Sequence, residues 1–312
     1  MISARSTRPG VALFTAAAAC FALATLFPGP AAAQKKPVRG KEVDKVLQAR
    51  DRVGIAITYF PSTLGKDAPV VIMLHMKGSN RLVWKSKGLA KQLQNFGYAV
   101  VTVDLRKHGE SAGGGAKGAE LRAADYKKMV GFDLVAVKDF LYEEHQAKRL
   151  NMRKTAIVAA EMSAPVAAMF AALDWVLPPW PDAPPGSGAR TPKGQIIRAV
   201  VFLSPSESAP GLANAGKAYH QLGSRLFNVA VLVGYGKGDI VDRGGKKAQG
   251  IYKRISSHPG ADKRMYLRDY NTKLRGTDML GRRLNVETNI INFLNKHLKK
   301  LPDPWESRKS RL

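Results

Sequence analysis

The chain has 312 residues, 50 Lys and Arg against 24 Asp and Glu, and a formal net charge of +26 at pH 7. With 45% hydrophobic residues, 29 Gly and 18 Pro, it is neither collagen-like nor compositionally disordered, and it is long enough to bury a sizeable core. Its one Cys excludes an internal disulfide, a Cys-based zinc site and Cys-x-x-Cys redox chemistry; His, carboxylate and hydroxyl groups remain, and neither a metal nor a cofactor is expected.

Residues 1–33 read as a secretory signal peptide. Arg5 and Arg8 precede an apolar run over 11–27, followed by Pro28-Gly29-Pro30 and the small residues Ala31-Ala32-Ala33. The run is short and Ala-rich for a membrane span. Cleavage near Ala33 predicts an exported protein, periplasmic or secreted, that has left its only Cys behind. The alternatives are an uncleaved N-terminal membrane anchor and lipidation at Cys20.

Residues 34–52 form a charged segment of mixed sign, and 53–60, rich in β-branched and aromatic residues, reads as an outer strand. A regular alternation follows. Residues 70–76 are a short apolar run, 82–96 have helical spacing and stop at Gly97, and 98–105 are a second Val-rich run. Helices are predicted over 124–144, 166–175, 246–257 and 286–299, and strands over 155–160, 196–203, 228–235 and 264–270. Near-continuous apolar strands alternating with helices predict an α/β domain over 53–300, a mostly parallel sheet with helices on both faces. Between Asp174 and Gln195 lie six prolines with Trp175 and Trp180, which excludes a helix and predicts a loop inserted before the sixth strand. It reads either as a lid carrying the two Trp or as a surface excursion packed down by them. Residues 301–312 read as a basic tail.

Three segments carry a family resemblance. Val71-Ile72-Met73-Leu74-His75 resembles the strand and oxyanion loop of the α/β-hydrolase superfamily, and Asp104-Leu105-Arg106-Lys107-His108-Gly109-Glu110-Ser111 resembles its D-x-R-G-H-G-x-S segment. Ile157-Val158-Ala159-Ala160-Glu161-Met162-Ser163-Ala164 falls where that superfamily turns a strand into a helix through G-x-S-x-G. The resemblance implies an α/β-hydrolase fold of the esterase and lipase kind. It makes His75, Met76 and Met162 the oxyanion-loop equivalents and Asp104, Arg106, His108 and Gly109 the structural motif.

The same alignment implies a degenerate site. Glu161 stands at the nucleophile position, with Ala159 and Ser163 where glycines are expected, Met76 replaces the oxyanion-loop glycine, and Lys107 replaces a motif glycine. Asp239, in Gly236-Lys237-Gly238-Asp239, matches the family's triad acid, with Asp242 as a second candidate and an ordinary turn Asp as the plain alternative. If the turn slips by two residues, Ser163 becomes the elbow residue, flanked by Glu161 and Pro165. In either frame the family's His is missing from the loop after the last strand, where residues 271–279 read Asn-Thr-Lys-Leu-Arg-Gly-Thr-Asp-Met. His258 precedes that strand, His297 lies in the last helix, and His75 and His108 read as structural members of their loops.

These features predict a protein that has lost Ser/His chemistry, with Glu161 held by former oxyanion donors and paired with Arg106 or Lys107. The rival reading is an active ester or acyl hydrolase with a non-standard site around Glu161 or Ser163. The dispersed positive charge suits an anionic envelope polymer or membrane surface as partner, or a merely solvated basic exterior, and no motif for specific nucleic-acid recognition occurs.

Overall fold

A computed structural model describes residues 40–112 and 120–310. The signal-peptide reading and Cys20 fall outside them, as do the first residues of the charged segment. Strands β1 (Val43–Gln48), β2 (Gly54–Phe60), β3 (Val70–Leu74), β4 (Ala99–Val103), β5 (Thr155–Ala160), β6 (Ile197–Leu203), β7 (Ala230–Gly236) and β8 (Met265–Tyr270) form one sheet in the order β1-β2-β4-β3-β5-β6-β7-β8. β2 is antiparallel to both its neighbours and every other pair is parallel.

Every residue of β3, β4, β5 and β7 is buried, which requires cover on both faces. One core packs β-strand side chains under α3 (Ala123–Lys128), α4 (Leu134–Gln146), α5 (Ser163–Val176), α6 (Ala215–Gly223) and α7 (Lys246–Ile255). The other lies under α1 (Val83–Ser86), α2 (Leu89–Asn95) and α8 (Val286–Leu294). The expected mostly parallel, doubly covered sheet is thus the architecture found.

The differences have local causes. The helix expected over 82–96 is two helices, because Gly88 takes φ +83° between α1 and α2. The helix expected over 124–144 contains a π-helical stretch, Met129–Asp133. A second π-helical stretch, Asn295–Lys299, follows α8. α6 was not foreseen; its sequence AGKAYHQLG is short and begins and ends with Gly-containing turns.

Three boundaries are corrected. The charged segment expected over 34–52 contains β1, an edge strand whose mostly exposed sequence VDKVLQ mixes Val and Leu with Asp, Lys and Gln; such charges suit an unpaired sheet edge. The described part of the basic tail, residues 301–310, is docked. His145 Nε2 contacts the Glu306 carbonyl at 2.8 Å, Trp305 Nε1 donates to the His145 carbonyl, and Asn151 Nδ2 donates to that of Asp303. Finally, the Pro-rich loop joins the C-terminal end of α5 to the start of β6, where Gln195 N donates to Asp174 O and Thr155 N to Ile196 O. That is the amino end of the parallel strands, whereas the elbow lies at their carboxyl end, so the loop and its Trp175 and Trp180 are no lid over the elbow. Trp175 instead stacks on Phe227 at 5.8 Å and donates Nε1–H to the Ile197 carbonyl.

Candidate functional site

The elbow forms without its glycines. Glu161 sits between β5 and α5 with φ +49°, a left-handed conformation that costs a bulky residue free energy and persists only where its surroundings enforce it. They do so through Ser163, which is fully buried: its Oγ accepts from Ala160 N at 3.0 Å and faces the carbonyls of Leu74 and Ala160 at 3.0 and 2.8 Å. The hydroxyl thus fastens the end of β3 to the elbow. Ser163→Ala removes the hydroxyl's buried contacts with the Ala160 N–H and the Leu74 and Ala160 carbonyls, and we expect it to lower unfolding free energy by about 1–1.5 kcal/mol in a urea titration.

Three fold positions converge at this end of the sheet. Glu161 follows β5, Asp239 lies in the loop after β7, and Arg275 lies in the loop after β8. Arg275 Nε is 2.6 Å from Glu161 Oε1 and 3.6 Å from Asp239 Oδ2, yet its N–H points squarely at neither, so this is an ion contact without an aligned hydrogen bond. Asp239 is buried, and its Oδ1 accepts from Val241 N and Asp242 N. Arg275 therefore stands in the loop where the resemblance puts the catalytic His. Nothing in the spacing of residues 271–279 marks Arg275 as the side chain that faces Glu161.

Glu161 is paired with Arg275, and neither Arg106 nor Lys107 reaches it. No backbone N–H of the loop after β3 or of the first turn of α5 donates to its carboxylate. Burial pushes the Glu161 carboxyl above its ordinary range; Arg275 pulls it down, while Asp239 and Asp278 push it up further. The net direction is upward, so the charge is held against a desolvation penalty. Met76 crowds the same place: a Cβ on Gly276 would lie 2.9 Å from Met76 Sδ and 3.2 Å from Glu161 Cγ. Its thioether thus occupies space that a glycine there would leave open.

All six histidines are among the described residues, and none bonds Glu161 or Ser163. His75 is fully buried, facing the Met76 carbonyl through Nδ1 at 2.9 Å and accepting from Leu105 N at Nε2; burial lowers it to about 3, so it is neutral at any ordinary pH. The His108 ring lies 4.7 Å from it, tilted by 54°, and contacts the Arg106 carbonyl through Nδ1. His145 is bound to backbone, His220 and His258 face each other, and His297 meets the Tyr266 hydroxyl.

The segment after β4 is a charge-paired scaffold. Arg81 Nη1 binds Asp104 Oδ2 at 2.5 Å, its backbone N–H reaches Asp104 Oδ1, and both residues are buried. Arg106 Nε and Nη2 hold Asp133 at 3.0 and 2.5 Å, and Nη1 holds Asp51 at 2.9 Å. Gly109 must be glycine, since a Cβ would fall 2.2 Å from Asp104 Oδ2. Lys107 takes φ +63°, in the left-handed region that favours glycine, and pairs with Asp125. Arg81 and Asp133 were not anticipated; only the excess of unpaired charge within the motif pointed to partners elsewhere.

Neither large cleft of the described structure is lined by Glu161, Asp239 or Arg275. One, of about 710 Å³, opens beside Arg81, Asp104 and His108, and the other, of about 740 Å³, lies between α4, α5 and the Pro-rich loop. Around Glu161 the polar atoms are nonetheless under-used: Asp239 Oδ2, Asp242 Oδ2, Arg275 Nε and Thr277 Oγ1 are buried with no hydrogen-bond partner.

No protein-family model and no curated protein matches the sequence. Solved structures do. An esterase of Pyrococcus furiosus is 16% identical with TM-score 0.56, covering 83% of this chain and 92% of that one. A dienelactone hydrolase of Anabaena variabilis is 15% identical with TM-score 0.56, covering 85% and 100%. A thermostable carboxyl esterase of Bacillus coagulans is 12% identical with TM-score 0.55, covering 83% and 99%. The chain has the α/β-hydrolase fold.

Proposed function

We propose that this chain is an exported α/β-hydrolase-fold protein without Ser/His acyl-transfer chemistry, acting by binding at an anionic envelope surface. One observation carries the reading: Glu161, Arg275 and Asp239 occupy the three positions from which this fold would assemble nucleophile, base and acid, and they form an ion contact of 2.6 and 3.6 Å in place of a proton relay. A guanidinium stays protonated at any ordinary pH, so Arg275 cannot take a proton from water. A carboxylate nucleophile forms a covalent intermediate that only an activated water clears, and no imidazole reaches Glu161 to activate one. Export is supported by the N-terminal leader pattern, and the surface role by the net charge of +26.

The active-hydrolase reading has one observation in its favour, the four unpartnered buried polar atoms around Arg275. Both readings are tested by assaying the purified protein on short p-nitrophenyl esters beside Glu161→Gln and Ser163→Ala. We expect hydrolysis by all three to equal the buffer rate. Turnover by the parent protein that either substitution abolishes would establish the hydrolase instead.

A further inference from the structure

The cleft of about 740 Å³ at the amino end of the strands has the size of a ligand pocket and a distinctive lining. Phe170, Leu173 and Val176 of α5 form one wall, and Leu177 and Trp180 of the Pro-rich loop continue it. Leu173, Val176, Leu177 and Trp180 are all exposed, a concentration of large apolar side chains on one rim. The facing wall is α4 with the π-helical stretch, where Gly131 lines the cleft and a Cβ on it would meet nothing within 4 Å.

The charges at this cleft do not balance. Arg50, Lys138, Lys193 and Arg308 line it against Asp139 and Asp174. Asp174 is already engaged, accepting from Lys138 at 2.7 Å and from the backbone of Ile196 and Ile197. Lys193 lies over the Trp180 ring at 4.1 Å with no carboxylate within ion-pair distance among the described residues. Arg308 is buried, and its Nη2 meets only the carbonyls of Pro192 and Gly194. Burial lowers it to about 10, with Arg153 and Arg198 adding to the depression and Asp174 and Glu306 opposing it from beyond ion-pair distance.

We propose that this cleft binds a free single-chain anionic amphiphile of the long-chain carboxylate class. The acyl chain lies along Phe170, Leu173 and Trp180, and the carboxylate meets Lys193 and Arg308. The apolar wall accounts for affinity, and two cations outside any ion pair of the described residues choose an anion over a cation of equal chain length. The site lies at the far end of the sheet from Glu161 and stands or falls independently of the catalytic reading.

Titration calorimetry of the full chain with monomeric dodecanoate tests it, with dodecyltrimethylammonium as the opposite-charge probe. We expect saturable dodecanoate binding and none of the ammonium. Gly131→Phe, which places a ring in open space inside the cleft, is expected to weaken dodecanoate binding at least tenfold with unchanged Tm, and Lys193→Gln to weaken it severalfold. Equal binding of both amphiphiles, or undiminished binding by Gly131→Phe, would overturn the proposal. So would binding to phosphatidylglycerol vesicles with no binding of monomeric dodecanoate, which would assign the exposed rim to a membrane surface.

Discussion

Arg106→Leu is expected to lower unfolding free energy by about 3–5 kcal/mol, enough to leave a marginally stable domain largely unfolded. The guanidinium neutralises Asp133, whose side chain is fully buried, through Nε and Nη2, while the Arg106 backbone N–H donates to the same carboxylate at 3.1 Å. Leucine keeps much of the volume and abandons the charge. The acid side of the stability curve provides a second readout. Arg106 and Lys128 hold Asp51 down from 3.8 to about 2, so in the parent protein this carboxylate contributes stability that is complete above its unfolded value and is lost as pH falls through about 2. In Arg106→Leu most of that depression disappears, and the corresponding slope between about pH 4 and 2 should flatten in denaturant titrations. A parent-like urea midpoint at pH 7 would show that the pair does not hold the loop after β4.

Arg275→Met carries the second large effect, about 2–3 kcal/mol at pH 7, less than for a wholly buried pair because Arg275 is partly open to solvent. Methionine leaves Glu161 and Asp239 facing each other with no cation between them. Burial has already raised the Glu161 carboxyl, and losing Arg275 raises it further. For a carboxyl raised in the folded state, the favourable contribution is present below its unfolded value and is lost as pH rises through the folded one. The deficit of Arg275→Met should therefore shrink on acidification towards pH 5, and Glu161→Gln in the same chain should recover most of it at pH 7. Glu161→Gln alone should stay within about 1 kcal/mol of the parent at pH 7, because the amide carries no charge to desolvate and Arg275 keeps Asp239. Thermal unfolding of the four proteins across pH 5–8 forms the cycle, and a deficit independent of both pH and Glu161 would refute the ion-contact account.

The sheet was legible because its strands are short, almost wholly apolar runs separated by turn residues, and burial on both faces demands that composition. Helix interruptions were less visible. Gly88 is a single glycine in a helical pattern, and nothing in MVGFD distinguishes a π-helical turn from an α-helical one. β1 was hidden by its charges, since an edge strand can spend its outward positions on solvent-facing Asp and Lys. At the candidate site the nucleophile and acid positions could be read from local spacing, but Arg275 and Asp133 could not. Each is defined by a partner that is distant in sequence, and spacing within a loop carries no information about such a contact.

The docked C-terminal stretch has a kinetic meaning. His145 and Glu306 meet across 161 positions, and Arg308 reaches across 114 to Gly194. Contacts this non-local pay their loop-closure entropy before they return any stability, so the seam between α4, the Pro-rich loop and residues 301–310 is a closure of high contact order. The amphiphile cleft shares Arg308 with that seam, so one of its two ligand-facing cations is in place only when residues 301–310 are docked. A chain with that seam open keeps its strands and its elbow and lacks a finished cleft.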